Sequence, residues 1–209
     1  MRCLIVDYGM GNLRSIQHKL KRIGIESAIS SSPSDVLCAD VLILPGIGHF
    51  GQGIANLREY GLIPALEKKV LEEKIPILGI CLGMQLFTKS SEEGNVEGLG
   101  WIKASTKKLN FENSDQAPRV PHIGWNTIQV ARSNSLVNGI DPQHRFYFVH
   151  SYYVDCNDTT DVLASTNYGI QFVSVIQRDN IFGIQFHPEK SHMNGMIILK
   201  NFVDIAQAK

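Results

Sequence analysis

The sequence predicts an α/β protein whose open, mostly parallel sheet carries helices on both faces, followed by an antiparallel, β-rich C-terminal half. Three observations carry this. Short apolar runs alternate with helical patterns through the first half. Those runs are apolar at successive positions, as strands buried on both faces are. Beyond residue 98 the rhythm changes to closely spaced β-rich pieces, two of them around a hairpin turn. At 209 residues the chain fits one domain, 1–209, large enough to bury a substantial core.

The elements follow in order. "CLIVDY" (3–8) reads as a buried strand, after which Asn12 caps a helix whose apolar Leu13, Ile16, Leu20 and Ile23 recur every three or four residues. "IESAIS" (25–30) is a second strand. Ser32 and Pro33 suit an N-cap and first helical position for a short helix to about Cys38, and "VLILPG" (41–46) is the next buried strand. "IPALEKKVLEEK" (63–74) is an amphipathic helix leading to "PILGI" (76–80), the fourth strand. The later β-rich pieces are 98–109, 124–130, 145–154 and 162–166; 170–177 and 181–186 flank the turn "RDN". "NFENSDQAPR" (110–119) reads as a polar surface loop, and a closing helix over 194–207 turns Met196, Leu199, Phe202, Val203 and Ala206 inward.

Lys+Arg equals Asp+Glu at 20 each, so charge makes no case for nucleic acid or an anionic membrane surface. Neither a signal-peptide core nor a membrane span is present among the apolar runs. The four cysteines (3, 38, 81 and 156) stand far apart without a Cys-x-x-Cys pair. That pattern argues against a metal site or a disulfide framework and for a cytoplasmic setting.

The chemistry centres on "GICLG" (79–83). A strand, then Gly-x-Cys-x-Gly, then a helix is the cysteine form of a nucleophile elbow. The turn is so tight that Gly79 and Gly83 must lack side chains, and it lifts Cys81 above the carboxyl ends of the strands, where open α/β sheets bind ligands. It also sets the sulfur at a helix N-terminus, whose partial positive charge favours an anion. The backbone N–H of Leu82 becomes half of an oxyanion hole. The plain alternative is a buried core cysteine. A thiolate needs a base and the base an orienter. His187 ends the run "IFGIQF", and Pro188 holds it extended. Residues two apart then face the same way, so Glu189 can accept from one imidazole nitrogen while the other addresses the sulfur. Gly46, Ile47 and Gly48 in "LPGIGHF" offer a facing, side-chain-poor segment for the second oxyanion donor. "DYGMGN" (7–12) lacks the third glycine of a dinucleotide loop, and no cofactor is expected.

Taken together, Gly-Ile-Cys-Leu-Gly-Met-Gln (79–85), Pro-Gly-Ile-Gly (45–48) and His-Pro-Glu (187–189) resemble the class I glutamine amidotransferases. "DYGMGNLRSI", "PGIGHF", "VPHIGWN" (120–126), "FYFVHSYY" (146–153) and "QFHPEKS" (185–191) extend the resemblance from end to end to one branch, the glutaminase subunits of imidazole glycerol phosphate synthase. The resemblance implies the fold of that family and a Cys81–His187–Glu189 triad hydrolysing L-glutamine through a thioester. It also implies that Gln85, Glu93, His150, Ser151 and Tyr152 contact the backbone end of glutamine or shape its pocket. Gly79 and Gly83 then read as the clearance a glutamine amide needs to reach the sulfur.

With all 209 residues used by a glutaminase fold, the ammonia acceptor is expected to be a separate protein. The resemblance makes it a cyclase (β/α)8-barrel subunit in a heterodimer, with Asn12, His122, Trp125, Asn126 and Lys190 in motifs used at that interface. "EKSHMNGMIILKNF" (189–202) also resembles paralogues that supply ammonia to surface-sugar synthesis. A free-standing cysteine hydrolase of the same fold and a catalytically silent binding module stay open as well.

Overall fold

A computed structural model describes residues 1–111 and 118–208; residues 112–117 of the expected surface loop lie outside the described residues. The first half builds β1 (Cys3–Val6), α1 (Leu13–Arg22), β2 (Ser27–Ser30), α2 (Pro33–Leu37), β3 (Val41–Gly46), α3 (Phe50–Glu59), α4 (Leu62–Glu67), β4 (Ile77–Cys81) and α5 (Leu82–Leu86). The main sheet runs β2-β1-β3-β4 and then takes in Ile181–Ile184, all five parallel. From there it continues antiparallel through Ile170–Arg178, Tyr152–Cys156 and Ala104–Lys108.

Strand alternation decides which helix packs where. Cys3 and Ile5, Val41 and Ile43, Leu78 and Ile80 point to one face, where Ile16 and Leu20 of α1 meet Leu199 and Phe202 of α6 (His192–Gln207). Leu4, Val6, Leu42, Leu44 and Ile77 point to the other, covered by Ile54 and Leu57 of α3, Leu66 of α4 and Leu86 of α5. Both faces of β1, β3, β4 and Ile181–Ile184 are therefore dry, which is why those runs are apolar, while the edge strand β2 stays partly exposed and keeps its serines. On α6, Leu199, Phe202 and Val203 are buried as expected, while Met196 and Ala206 are only half-buried.

Three departures bear on the site. The sequence reading has no helix at 50–59, because Gly51 and Gly53 dilute the apolar pattern; in the structure Gly53 lies against Leu86, where an added Cβ would sit 3.2 Å from a Leu86 methyl. The amphipathic helix ends α-helical at Glu67 and continues as a π-helix over Lys68–Glu72. Asn180, buried in the "RDN" turn, donates from Nδ2 to the carbonyls of Val70 and Ile75, both at 2.8 Å, and so satisfies the end of that irregular segment. Finally, the run at 145–154 is two strands. Arg145–His150 pairs antiparallel with His122–Thr127 in a separate two-stranded sheet, and after Ser151 the chain enters the main sheet as Tyr152–Cys156.

Candidate active site

Cys81 closes β4 and opens α5 with φ +55° and ψ −111°, a strained conformation for a residue with a side chain. The sharpness of the turn follows from contacts with β3. A Cβ on Gly83 would sit 1.8 Å from the Leu44 carbonyl oxygen, and one on Gly79 would sit 2.5 Å from Phe87 and 2.7 Å from the Gly83 carbonyl. The flanking glycines thus clear the way for the protein's own backbone rather than for a substrate amide, which corrects that expectation. Gly46, paired with Cys81 across the sheet, is equally confined: a Cβ there would meet the Tyr8 hydroxyl at 2.2 Å.

His187 is buried and its backbone N–H donates to the Tyr147 carbonyl at 2.9 Å. Its Nδ1 lies 2.9 Å from Glu189 Oε1, the expected orienting bond. The route to that bond differs from expectation. Pro188–Lys190 forms a single 3-10 turn, so the turn rather than strand alternation brings Glu189 back to the ring. Ser191 fixes the turn, its hydroxyl donating to the His187 carbonyl at 2.6 Å and accepting from the Tyr147 N–H at 3.0 Å. Imidazole Nε2 is buried without a hydrogen-bond partner among the described residues. Burial by itself would lower this histidine; negative charge at Cys81 and at Glu189 outweighs it and raises the imidazole to about 10. A protonated ring is the form that can give a proton to a leaving group.

The sulfur opens into a cavity of about 400 Å³. Ile47 and Gly48 line one side, Leu82 and Gln85 the elbow side, Val149 to Tyr152 the wall opposite, with Glu93, Pro121 and Lys190 completing it. The structure therefore brings Cys81 together with every residue expected around the glutamine and oxyanion, Gly46 standing one position behind. Gln85 is buried, its Nε2 donating to the Tyr152 carbonyl at 2.9 Å and to Gln185 Oε1 at 3.0 Å. Glu93 accepts from the Phe50 N–H at 2.7 Å and so joins the start of α3 to the cavity. His150 is buried, with Nδ1 2.9 Å from the Tyr152 carbonyl and Nε2 3.1 Å from Nδ1 of His122. Desolvation lowers His150 to about 3 and His122 to about 4, so both rings are neutral.

Of the expected interface residues, Trp125 is 37% exposed and stacks on His192 at 5.0 Å, and Lys190 is exposed over the Tyr147 ring at 5.5 Å while also reaching the cavity. Asn12 and Asn126 are half-buried; Asn12 accepts from the Ser15 hydroxyl at 2.8 Å and Asn126 donates to the Asn167 carbonyl at 3.0 Å. His122 is the correction. At 2% exposure it stacks on Tyr168 at 3.8 Å, because strand alternation turns Ile123 and Trp125 outward and His122 inward. Pro121, Val149 and Gln185 escaped sequence reading. Gln185 is fully buried with Nε2 3.6 Å from the Cys81 sulfur; its signal was a polar residue inside an apolar strand, two before His187.

A left-handed cysteine between β4 and α5, a buried His–Glu pair beside it and a glycine-flanked facing segment define a class of protein. The chain belongs to the glutamine amidotransferase class-I family, which it matches over residues 4–206. Within that family it is 49% identical over 199 residues to the imidazole glycerol phosphate synthase subunit HisH 2 of Methanococcus maripaludis, covering 95% of this chain and 97% of that protein. It is 46% identical over 206 residues to the subunit HisH of Sulfurimonas denitrificans, covering 98% and 99%, and 45% identical over 202 residues to HisH 2 of Pseudomonas aeruginosa, covering 97% and 98%. Among solved structures, a glutamine amidotransferase superposes with a TM-score of 0.74 at 21% identity, and the PurLQS structure from Thermotoga maritima with 0.73 at 18%, each covering 98% of both chains. Those two likenesses establish the fold.

Proposed function

We propose that this chain is a glutaminase subunit that hydrolyses L-glutamine to glutamate and ammonia and passes the ammonia to a synthase partner in the imidazole glycerol phosphate step of histidine biosynthesis. The observation that carries the chemistry is a cavity that joins the strained Cys81 to Ile47 and Gly48, with the buried His187–Glu189 pair coupled to Cys81 behind it. Cys81 attacks the side-chain amide carbon, and the oxyanion is met by the N–H of Leu82 with that of Ile47 or Gly48. His187 gives its proton to the departing amine, leaving a glutamyl thioester and free ammonia. It then takes a proton from water as the water adds to the thioester, and the thiol is regenerated with glutamate. Glu189 keeps the imidazole in the productive orientation throughout. Gln85, Glu93, His150, Ser151 and Tyr152 surround the space left for the backbone end of glutamine.

The acceptor reading is supported by the relatives, which are named as subunits of imidazole glycerol phosphate synthase. The partner is a cyclase (β/α)8 barrel, forming a heterodimer in the cytoplasm and docking on the face that carries Asn12, Trp125, Asn126 and Lys190. Exposed Ile123 at 59%, beside Trp125, gives that face an apolar centre of the kind that anchors interfaces. Ammonia release from glutamine, measured on the chain with and without the barrel and its ligand, tests both parts. Release that is slow alone, rises with the partner and disappears in Cys81→Ala is the expected outcome; full activity from the isolated chain argues for a free-standing hydrolase. A second reading keeps the chemistry and changes the acceptor to a surface-sugar synthase. Numbered names such as HisH 2 among the relatives favour keeping it in view. Rescue of a histidine auxotroph lacking its own glutaminase subunit separates the two.

A further inference from the structure

Taking Cys81 as the nucleophile, as the proposed function does, we propose that Gln185 is a further catalytic residue whose side-chain amide donates to the Cys81 sulfur and stabilises it as the attacking anion. The orientation of that amide is fixed by its neighbours. The Tyr152 carbonyl can only accept, so the Gln85 atom 2.9 Å from it is the nitrogen. The same nitrogen lies 3.0 Å from Gln185, so the Gln185 atom facing it is the oxygen. That leaves Gln185 Nε2 directed at the sulfur, 3.6 Å away, an ordinary length for an N–H donor to sulfur. The reversed amide would set oxygen against sulfur and nitrogen against nitrogen, forfeiting both contacts.

Besides His187, to which it is coupled, the sulfur faces the Val149 carbonyl at 3.9 Å, which suits a protonated thiol and repels an anion. When the proton leaves for His187, the Val149 contact turns unfavourable and the Gln185 donor becomes the attractive one. Gln185 is fully buried, so its end of this bond is shielded from solvent. Unlike His187 it holds no exchangeable charge, so its part is electrostatic and moves no proton.

Gln185→Met and Gln185→Glu keep the length of the side chain and remove the neutral donor. In either, alkylation of Cys81 by iodoacetamide at neutral pH, followed on its own tryptic peptide, is expected to slow about tenfold, and kcat with the synthase partner to fall by at least about that factor while KM for glutamine changes less than about twofold. A third measurement needs no variant: in the wild-type chain the Gln185 side-chain amide resonance should move as pH is raised through the onset of Cys81 alkylation, and should not move in Cys81→Ser. Unchanged alkylation and turnover in the variants overturns the assignment, as does a wild-type amide signal indifferent to pH. A wild-type chain that turns over no glutamine with its partner overturns the glutaminase reading and this role with it, whereas an active wild type with indifferent Gln185 variants overturns this role alone.

Discussion

At the scale of single residues, the site is held by exclusion as much as by attraction. Cys81 keeps φ at +55° because Gly79 and Gly83 let β4, β3 and α5 close around it. Gly83→Ala drives a methyl into the Leu44 carbonyl and is expected to destabilise the fold by at least about 3 kcal/mol, read from urea denaturation. The strain itself is measurable. Cys81→Gly and Cys81→Ala should both be inactive, but the glycine form adopts the turn without a Cβ and should be the more stable of the two by about 1–2 kcal/mol. Charge at the site gives a third expectation. His187 is raised by negative charge at Cys81 and Glu189, so in Cys81→Ala the titration of its ring resonances should move down by about one unit or more. A histidine resonance that titrates identically in both proteins contradicts the coupling.

At the scale of elements, irregular pieces do the positioning. Asn180 bridges the "RDN" turn to the π-helical end of the α4 segment, and through it to the start of β4. Asn180→Ala removes both bonds, one of them fully buried, and should lower stability by about 2–3 kcal/mol while leaving KM for glutamine unchanged. Strands β1, β3 and β4 were legible because both faces are buried, which makes their apolar runs continuous. The short helix at 33–38 was legible through Ser32 and Pro33. Helix α3 was not, since Gly53 serves close approach to α5, a tertiary need that carries no helical signal. The division of 145–154 between two sheets was equally hidden. Local composition is β-rich on either side of Ser151, and only the packing of Phe146 and Phe148 under the small sheet separates the two strands. In the site, Cys81, His187 and Glu189 were readable as motifs, whereas Gln185 becomes visible only when its neighbours are placed.

At the scale of the molecule, buried histidines set the acid limit. His150 and His122 are neutral in the fold, lowered to about 3 and about 4, and both charge at ordinary pH in the unfolded chain. The unfolded state therefore binds more protons, so their stabilising contribution is complete above about pH 6.5 and is lost as pH falls toward 4 and then 3. Each adds up to about 1.4 kcal/mol per pH unit to the loss of stability. His187 acts in the opposite sense. Its raised value makes its contribution complete below about 6.5 and lost as pH rises toward 10. Urea midpoints measured from pH 4 to 9 should thus fall on both sides of neutrality, and His150→Asn should flatten the acid side alone.

The division of one run at Ser151 also constrains how such a subunit can change its allegiance. The strand that supports the outward Trp125 and the backbone that walls the glutamine cavity are consecutive residues of a single chain segment. The docking face proposed for the partner, built this way, cannot be exchanged as a cassette without cutting through the cavity beside Cys81. Chimaeras that redirect ammonia to a new acceptor therefore have to carry residues 122–156 across as one inheritable block.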